Sequence, residues 1–231
     1  MEKQKLNTAG ISEVIRPLRW LFITALLFFI SLGSIDFMRA WIYFGCYFIG
    51  FLINSYILVK KLPGLANERG EKKQGTKKWD TPILFLYFQL YIIITPIMAG
   101  TDIRYNLYTL PYDFLYLGIG CYIIFLVMLI WPMLHNPFFE STVRLQTDRN
   151  QFVINTGPYK FVRHPGYISL IAGPLALPFA VGSLLSLIPA IIMIILILIR
   201  TYLEDNTLKK ELAGYDEYCK KVKYRLIPYL W

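Results

Sequence analysis

The chain has 231 residues, of which 56% are hydrophobic, 16% aromatic and only 17% charged, and its mean hydropathy is +0.46. This balance lies outside that of soluble globular proteins, and membrane spans of about 20 residues each take up most of the length, which excludes a large soluble domain. The net charge of +9 comes from basic residues dispersed between apolar runs, without the continuous basic and aromatic groove that nucleic acid requires.

Taken in chain order, the first stretch, "MEKQKLNTAGISEVIRPLRW", is polar for too long to be a signal peptide and has no small-residue cleavage site, so the first span is expected to be retained. Apolar runs then predict spans near residues 18–34, 41–59, 82–100, 114–134, 166–181 and 185–203, the fifth being the shortest. The last two form one apolar stretch of 38 residues, about 57 Å as a helix against a hydrocarbon core of about 30 Å. It must fold back. The expected turn is "VGS", Val181 to Ser183, with Pro174 and Pro178 as further sites where the fifth span could break or kink.

Of the 24 lysines and arginines, 22 fall in the N-terminal tail, the 60–80 loop, the 135–165 loop and the tail from Arg200 onward; only Arg39 and Arg104 fall on the other side. That asymmetry predicts an all-α integral membrane protein with six spans and both termini in the cytoplasm. The 60–80 loop reads as a solvated connector facing anionic lipid, without chemistry. The 135–165 loop alternates apolar and polar residues in "STVRLQTDRNQFVINT" and closes on Gly-Pro-Tyr, so it is expected to be ordered. Cys46, Cys121 and Cys219 are too far apart to define a disulfide framework or a metal site. The chain divides into a four-span region, 1–134, and a C-terminal region, 135–231.

The stretch "TGPYKFVRHPGYISL" poses an electrostatic problem. Pro165 suits the first turn of a helix, which sets Arg163 and His164 beside the positive end of the fifth span. Two cations there require an anion, and a carboxylate or phosphate would suit the free helix N–H groups and the arginine together. The bland reading is an ordinary cytoplasmic flank, and His135, next to Asn136, reads as an interfacial residue. In "IRTYLEDNTLKKELAGYDEYCKKV", Arg200 and Glu204 are four apart and share a helix face, while Asp205 and Lys209 read as a surface pair. Leu208, Leu212, Tyr215, Cys219 and Val222 keep helical spacing, interrupted at Gly214, as expected of a helix lying on the membrane or on the domain. A hairpin of spans returns the chain to its starting side, so Arg163, His164, Arg200 and Glu204 are expected on one face.

"GPYKFVRHPGY", followed about 40 residues later by "RTYLED" and then by "GYDEY", resembles the isoprenylcysteine carboxyl methyltransferase family and its phospholipid methyltransferase relatives. The upstream "NPFFESTVRLQTDR" is similar to the bacterial branch, and the resemblance runs from about Asn136 to Trp231. It implies an enzyme of the inner membrane using S-adenosyl-L-methionine without a Rossmann domain. By resemblance, the cofactor is contacted from the cytoplasmic side by Gln146, by Gln151, Phe152, Val153 and Ile154, by Tyr159, by His164, Pro165, Gly166 and Tyr167, and by Glu204. Arg200 falls where the family has an arginine near the acceptor, which makes it the substrate-orienting residue. One departure is Asp205, where the family pattern has a second glutamate.

The chemistry of these residues agrees with the resemblance. His164 with the helix end suits a carboxylate, Glu204 suits an ammonium or an adenine amine, and Tyr159 and Tyr167 can cover an adenine or a sulfonium. A carboxylate acceptor needs no general base, and Arg200 would hold it; an amine acceptor must lose a proton, and no base for it is evident. The expected partners are membrane lipids and a lipophilic or small-molecule methyl acceptor. A transporter or non-catalytic scaffold is the alternative from another class, but the span centres offer only Asn54, Gln89 and Thr95 as conspicuous polar groups. A sterol-reductase-like enzyme using NADPH would need a much larger set of spans.

Overall fold

The computed structural model describes residues 5–71 and 74–231. In chain order the helices are α1 (Thr8–Leu32), α2 (Met38–Lys60), α3 (Pro63–Gly70), α4 (Asp80–Tyr105), α5 (Phe114–His135), α6 (Pro165–Val181), α7 (Leu187–Glu211) and α8 (Tyr215–Lys221). No strand occurs among the described residues. Five helices, α1, α2, α4, α5 and α7, are long and apolar enough to cross a membrane. The expected sixth span is α6, whose 17 residues reach about 26 Å, slightly short of a hydrocarbon core. Phe22, Ile30, Phe48, Phe85, Tyr116 and Ile191 point outward and stay exposed, as lipid-facing side chains do.

Helix ends follow local chemistry. Asn7 caps α1 by accepting the Gly10 N–H at 2.7 Å, and Gly33 ends it in the left-handed region with φ 74°. The helix therefore starts ten residues before the apolar run at Leu18, carrying Glu13, Arg16 and Arg19 in helical register. In α4, Pro96 has no N–H to donate, and the preceding turn widens to a π turn at Leu90–Ile94. The Thr95 hydroxyl donates to the Leu90 carbonyl at 2.8 Å, which also accepts the Thr95 backbone N–H. The predicted turn after Val181 is borne out: Gly182, with φ 82°, ends α6. Pro174 and Pro178 lie within α6 without ending it.

Small residues set the closest packing. A Cβ on Gly118 of α5 would come within 2.2 Å of the Ala180 backbone on α6, and Ala176 and Ala180 lie one turn apart along that seam. Such contacts replace the hydrophobic drive that helices lack in lipid. At one end of the bundle, Arg39 donates to the carbonyls of Ala180 (2.9 Å), Phe179 (3.0 Å) and Leu110 (3.1 Å). There too, Asp102 accepts from the Ser183 hydroxyl and from the N–H groups of Tyr108 and Leu185. These bonds gather the loops after α1, α4 and α6 at one end, as the alternating up-and-down order of the sequence reading requires.

The opposite end carries the 60–80 and 135–165 loops and the C-terminal tail. Here the connector reading of 60–80 fails. Residues 63–70 form α3, with Leu65 and Ala66 buried against Val14 and Leu58, and Asp80 is fully buried; positions 72 and 73 lie outside the described residues. The 135–165 loop is ordered, with short 3₁₀ turns at Thr147–Arg149 and Gly157–Lys160. Beyond α7, α8 lies on the domain: Leu212, Tyr215, Tyr218 and Val222 pack against Leu145, Val153 and Leu208.

Candidate active site

At this second end a cavity of about 700 Å³ opens between the 135–165 loop, the start of α6, the end of α7 and α8. Of the residues singled out from sequence, Gln146, Gln151, Phe152, Val153, Ile154, Tyr159, His164, Gly166, Tyr167, Arg200 and Glu204 all line it. Pro165 does not; it occupies the first turn of α6 and fixes the backbone behind His164.

The electrostatic problem of Arg163 and His164 is answered from within the protein. Asp205, fully buried, accepts two bonds from Arg163 at 2.8 and 3.1 Å and lies 3.1 Å from His164 Nε2. Tyr215 donates to it at 3.0 Å, Arg225 at 3.0 Å, and Lys209 stands at 3.2 Å. The surface-pair reading of Asp205 is thus overturned, because the helix hairpin and the tail converge on its carboxylate. The tail also extends across the loop: Arg163 and His164 donate their backbone N–H groups to the carbonyls of Tyr224 and Arg225 at 3.0 and 2.9 Å. Burial opposes charge on Arg163, yet the Asp205 carboxylate holds its pKa above the ordinary value. Burial and the same carboxylate push the Tyr215 phenol well up.

Arg200 is held just as firmly. Its Nε donates to Asp80 at 2.6 Å and one terminal nitrogen to Asp80 and to the Ser141 carbonyl at 3.2 and 2.8 Å. The guanidinium lies 5.1 Å from the centre of the Tyr167 ring. Asp80 also accepts the Val143 N–H at 2.8 Å, so a single carboxylate fixes the arginine and the loop together. Nη1 is left without a bond among the described residues. Asp80 was invisible in the sequence because its partners lie 63 and 120 positions away; its one signal is an acid at the first position of an apolar helix.

The remaining walls are complementary to a nucleoside-like ligand. Tyr167 donates its hydroxyl to Glu204, which leaves the carboxylate facing the cavity. Tyr159 is buried, its hydroxyl receiving the Asn136 amide at 3.0 Å and its carbonyl the Tyr218 hydroxyl at 2.7 Å; burial pushes its phenol up, so it stays neutral. Gln146 is pinned by donation to the Phe138 carbonyl at 2.8 Å and by the Gln151 side chain, which accepts its N–H at 2.8 Å. From Phe152 to Ile154 the chain carries no backbone hydrogen bond among the described residues. These residues line the cavity wall, Phe152 exposed and Val153 and Ile154 half-buried. An acid, two aromatic faces and an open peptide edge fit a cationic, adenine-bearing cofactor.

From this polar end the cavity continues between the helices, past Tyr87, Tyr91 and Asn54 to Tyr47 and Tyr122. Asn54 is buried with its Oδ1 unpartnered among the described residues. His135, by contrast, remains at the surface, bonded to the Trp131 carbonyl. No metal-ligating cluster occurs among the described residues.

Long apolar helices around a cavity that is polar at the helix ends and aromatic between them are the frame of an integral membrane protein. Residues 118–210 match the family model of the isoprenylcysteine carboxyl methyltransferase (ICMT) family. The matched stretch holds every site residue from Gln146 to Glu204. No curated protein and no solved structure matches the chain.

Proposed function

We propose that this protein transfers a methyl group from S-adenosyl-L-methionine to a lipophilic acceptor, a carboxylate being favoured, at the cytoplasmic face of a bacterial inner membrane, with both termini in the cytoplasm. The observation that carries the reading is the convergence of Gln146, the 151–154 segment, Tyr159, His164, Gly166, Tyr167 and Glu204 on one cavity. Bound there, the cofactor supplies an electrophilic methyl group. Glu204 would take its ammonium or adenine amine, Tyr159 and Tyr167 would cover its rings and sulfonium, and the 151–154 edge would meet the base. His164, tied to Asp205, presents its ring at the cavity wall beside the α6 N-terminus, where a carboxylate is favoured.

Methyl transfer dissipates a sulfonium charge, so alignment and exclusion of water supply the rate. Arg200 contributes through its free Nη1 and its fixed place over Tyr167. A carboxylate acceptor would find one donor there and needs no base. The test is calorimetric titration of S-adenosyl-L-methionine into detergent-purified protein, wild type against His164→Ala and Glu204→Ala, each checked for folding. Micromolar-range binding lost in both variants supports the donor pocket. A well-folded wild type that binds nothing ends the methyltransferase reading.

A further inference from the structure

The cavity has a second group of charged residues, on α1 and α3. Glu13, Arg16, Arg19 and Trp20 of α1 line the cavity together with Arg69 of α3. Three arginines here face one carboxylate. Glu13 takes Arg16 at 2.5 Å and Arg69 at 2.8 Å, and Arg69 also donates to the Phe139 carbonyl at 3.3 Å. Among the described residues, Arg19 bonds to the carbonyl and hydroxyl of Ser12, at 3.3 and 3.2 Å, and to no carboxylate.

Every other arginine on the cavity wall meets its own carboxylate: Arg144 with Glu140 at 2.9 Å, Arg163 with Asp205 at 2.8 Å, Arg200 with Asp80 at 2.6 Å. The unmatched positive charge of the cavity therefore sits on α1 and α3. Arg19 is exposed as well as cavity-lining, which makes this corner a mouth. It lies where the polar first turns of α1 give way to the apolar run, the depth at which lipid headgroups meet the hydrocarbon. Next to Arg19, Trp20 packs on Phe88 with ring centres 4.8 Å apart, and both rings line the cavity.

We infer that this mouth binds the anionic head of an amphiphile, a carboxylate or phosphate held by Arg16 and Arg19, with its apolar tail running past Trp20 into the passage between the helices. Glu13 and Arg69 hold Arg16 in place, and Arg19 reaches the ligand from the rim. The same chemistry serves a free acidic lipid or the phosphate of a bilayer lipid. The inference rests on the cavity alone, so it stands or falls independently of donor binding.

The experiment reads Trp20 fluorescence in purified full-length protein, with Trp20→Phe as the background for the other tryptophans. The quenchers are 9,10-dibromostearate, its methyl ester, and dibrominated phosphatidylglycerol and diacylglycerol. Saturable quenching by an anionic probe, about tenfold tighter than by its neutral counterpart and weakened about tenfold in Arg16→Gln/Arg19→Gln, is the expected result. Tight stearate with weak phosphatidylglycerol identifies a free acid as the ligand; the reverse identifies the bilayer phosphate. Equal affinity for charged and neutral probes, or affinity unchanged in the double variant, overturns the inference. Arg19→Gln alone, at an exposed position, keeps the test decisive if the double variant melts early.

Discussion

Arg163 and Asp205, 42 residues apart, meet in a forked ion pair of 2.8 and 3.1 Å, both side chains buried. The pair joins the loop before α6 to the inner part of α7, and it explains how an arginine and a histidine are tolerated beside a helix N-terminus. The anion they require is built in. A histidine bonded to that same anion has a fixed ring, so its approach to any ligand is set by Asp205 and not by its own rotamers.

Asp205→Asn is therefore expected to destabilise the protein by about 3–5 kcal/mol, because it leaves Arg163, His164 and Arg225 around a neutral amide in a buried site. The loss should appear as a lower midpoint of thermal unfolding in detergent. Asp205→Glu keeps the charge and should recover part of it. A midpoint unchanged in Asp205→Asn would mean that the cluster is not a stabilising centre.

Arg200 and Asp80 form the second buried pair, and its loop contacts make the two residues interdependent. Asp80→Asn and Arg200→Gln should each cost about 3–5 kcal/mol, and the double variant should cost at least about 1 kcal/mol less than their sum. Arg200→Lys is expected to behave like a loss, since an ammonium cannot donate in parallel to Asp80 and reach the Ser141 carbonyl. Additive costs in the cycle would show that the two side chains do not act as a unit.

The spans and the turn at Gly182 were legible because hydropathy and a glycine with positive φ are local signals. The site segment was legible through its motif spacing, which the hairpin converts into proximity. The start of α1 was obscured because its first turns are polar and their partners, Asn67 and Arg69, come from a loop that looked merely solvated. Asp205 was misread, and Asp80 passed over, for a related reason. For Asp80 the one local mark is an acid at the first position of an apolar helix; what buries Asp205 is Arg163 on another helix entry and Arg225 on the tail, and helical spacing favoured the weaker Lys209 contact.

At the other end of the bundle, Gly182→Ala tests how the α6–α7 turn is held. An added Cβ would sit 2.4 Å from Arg39 Nη1, at a residue with φ 82°. The left-handed backbone costs roughly 1–2 kcal/mol for alanine, and displacing the guanidinium removes bonds to the last carbonyls of α6. Unfolding measured calorimetrically should show a loss greater than Gly33→Ala, where the nearby Arg104 guanidinium lies at 3.1 Å and has no such carbonyl partners among the described residues. Equal losses would mean that backbone strain alone decides both.

Tyr159, Tyr215 and Tyr218 stand outside the spans, and burial pushes all three phenols above the usual range, with Asp205 adding to the effect at Tyr215. A raised folded-state pKa means that the folded protein holds these protons more tightly than the unfolded chain. Their contribution is fully present below the unfolded phenol value of about 10 and is lost as the pH climbs from there toward the folded values. Stability is thus expected to fall above about pH 10, by up to about 1.4 kcal/mol per pH unit for each tyrosine. Tyr215→Phe lowers stability at pH 8 by removing a bond to Asp205, and it should flatten the alkaline slope by one tyrosine's share. Unfolding midpoints of wild type and variant between pH 8 and 11 check this, and parallel slopes would show that the Tyr215 phenol ionises as freely in the folded protein as in the unfolded chain.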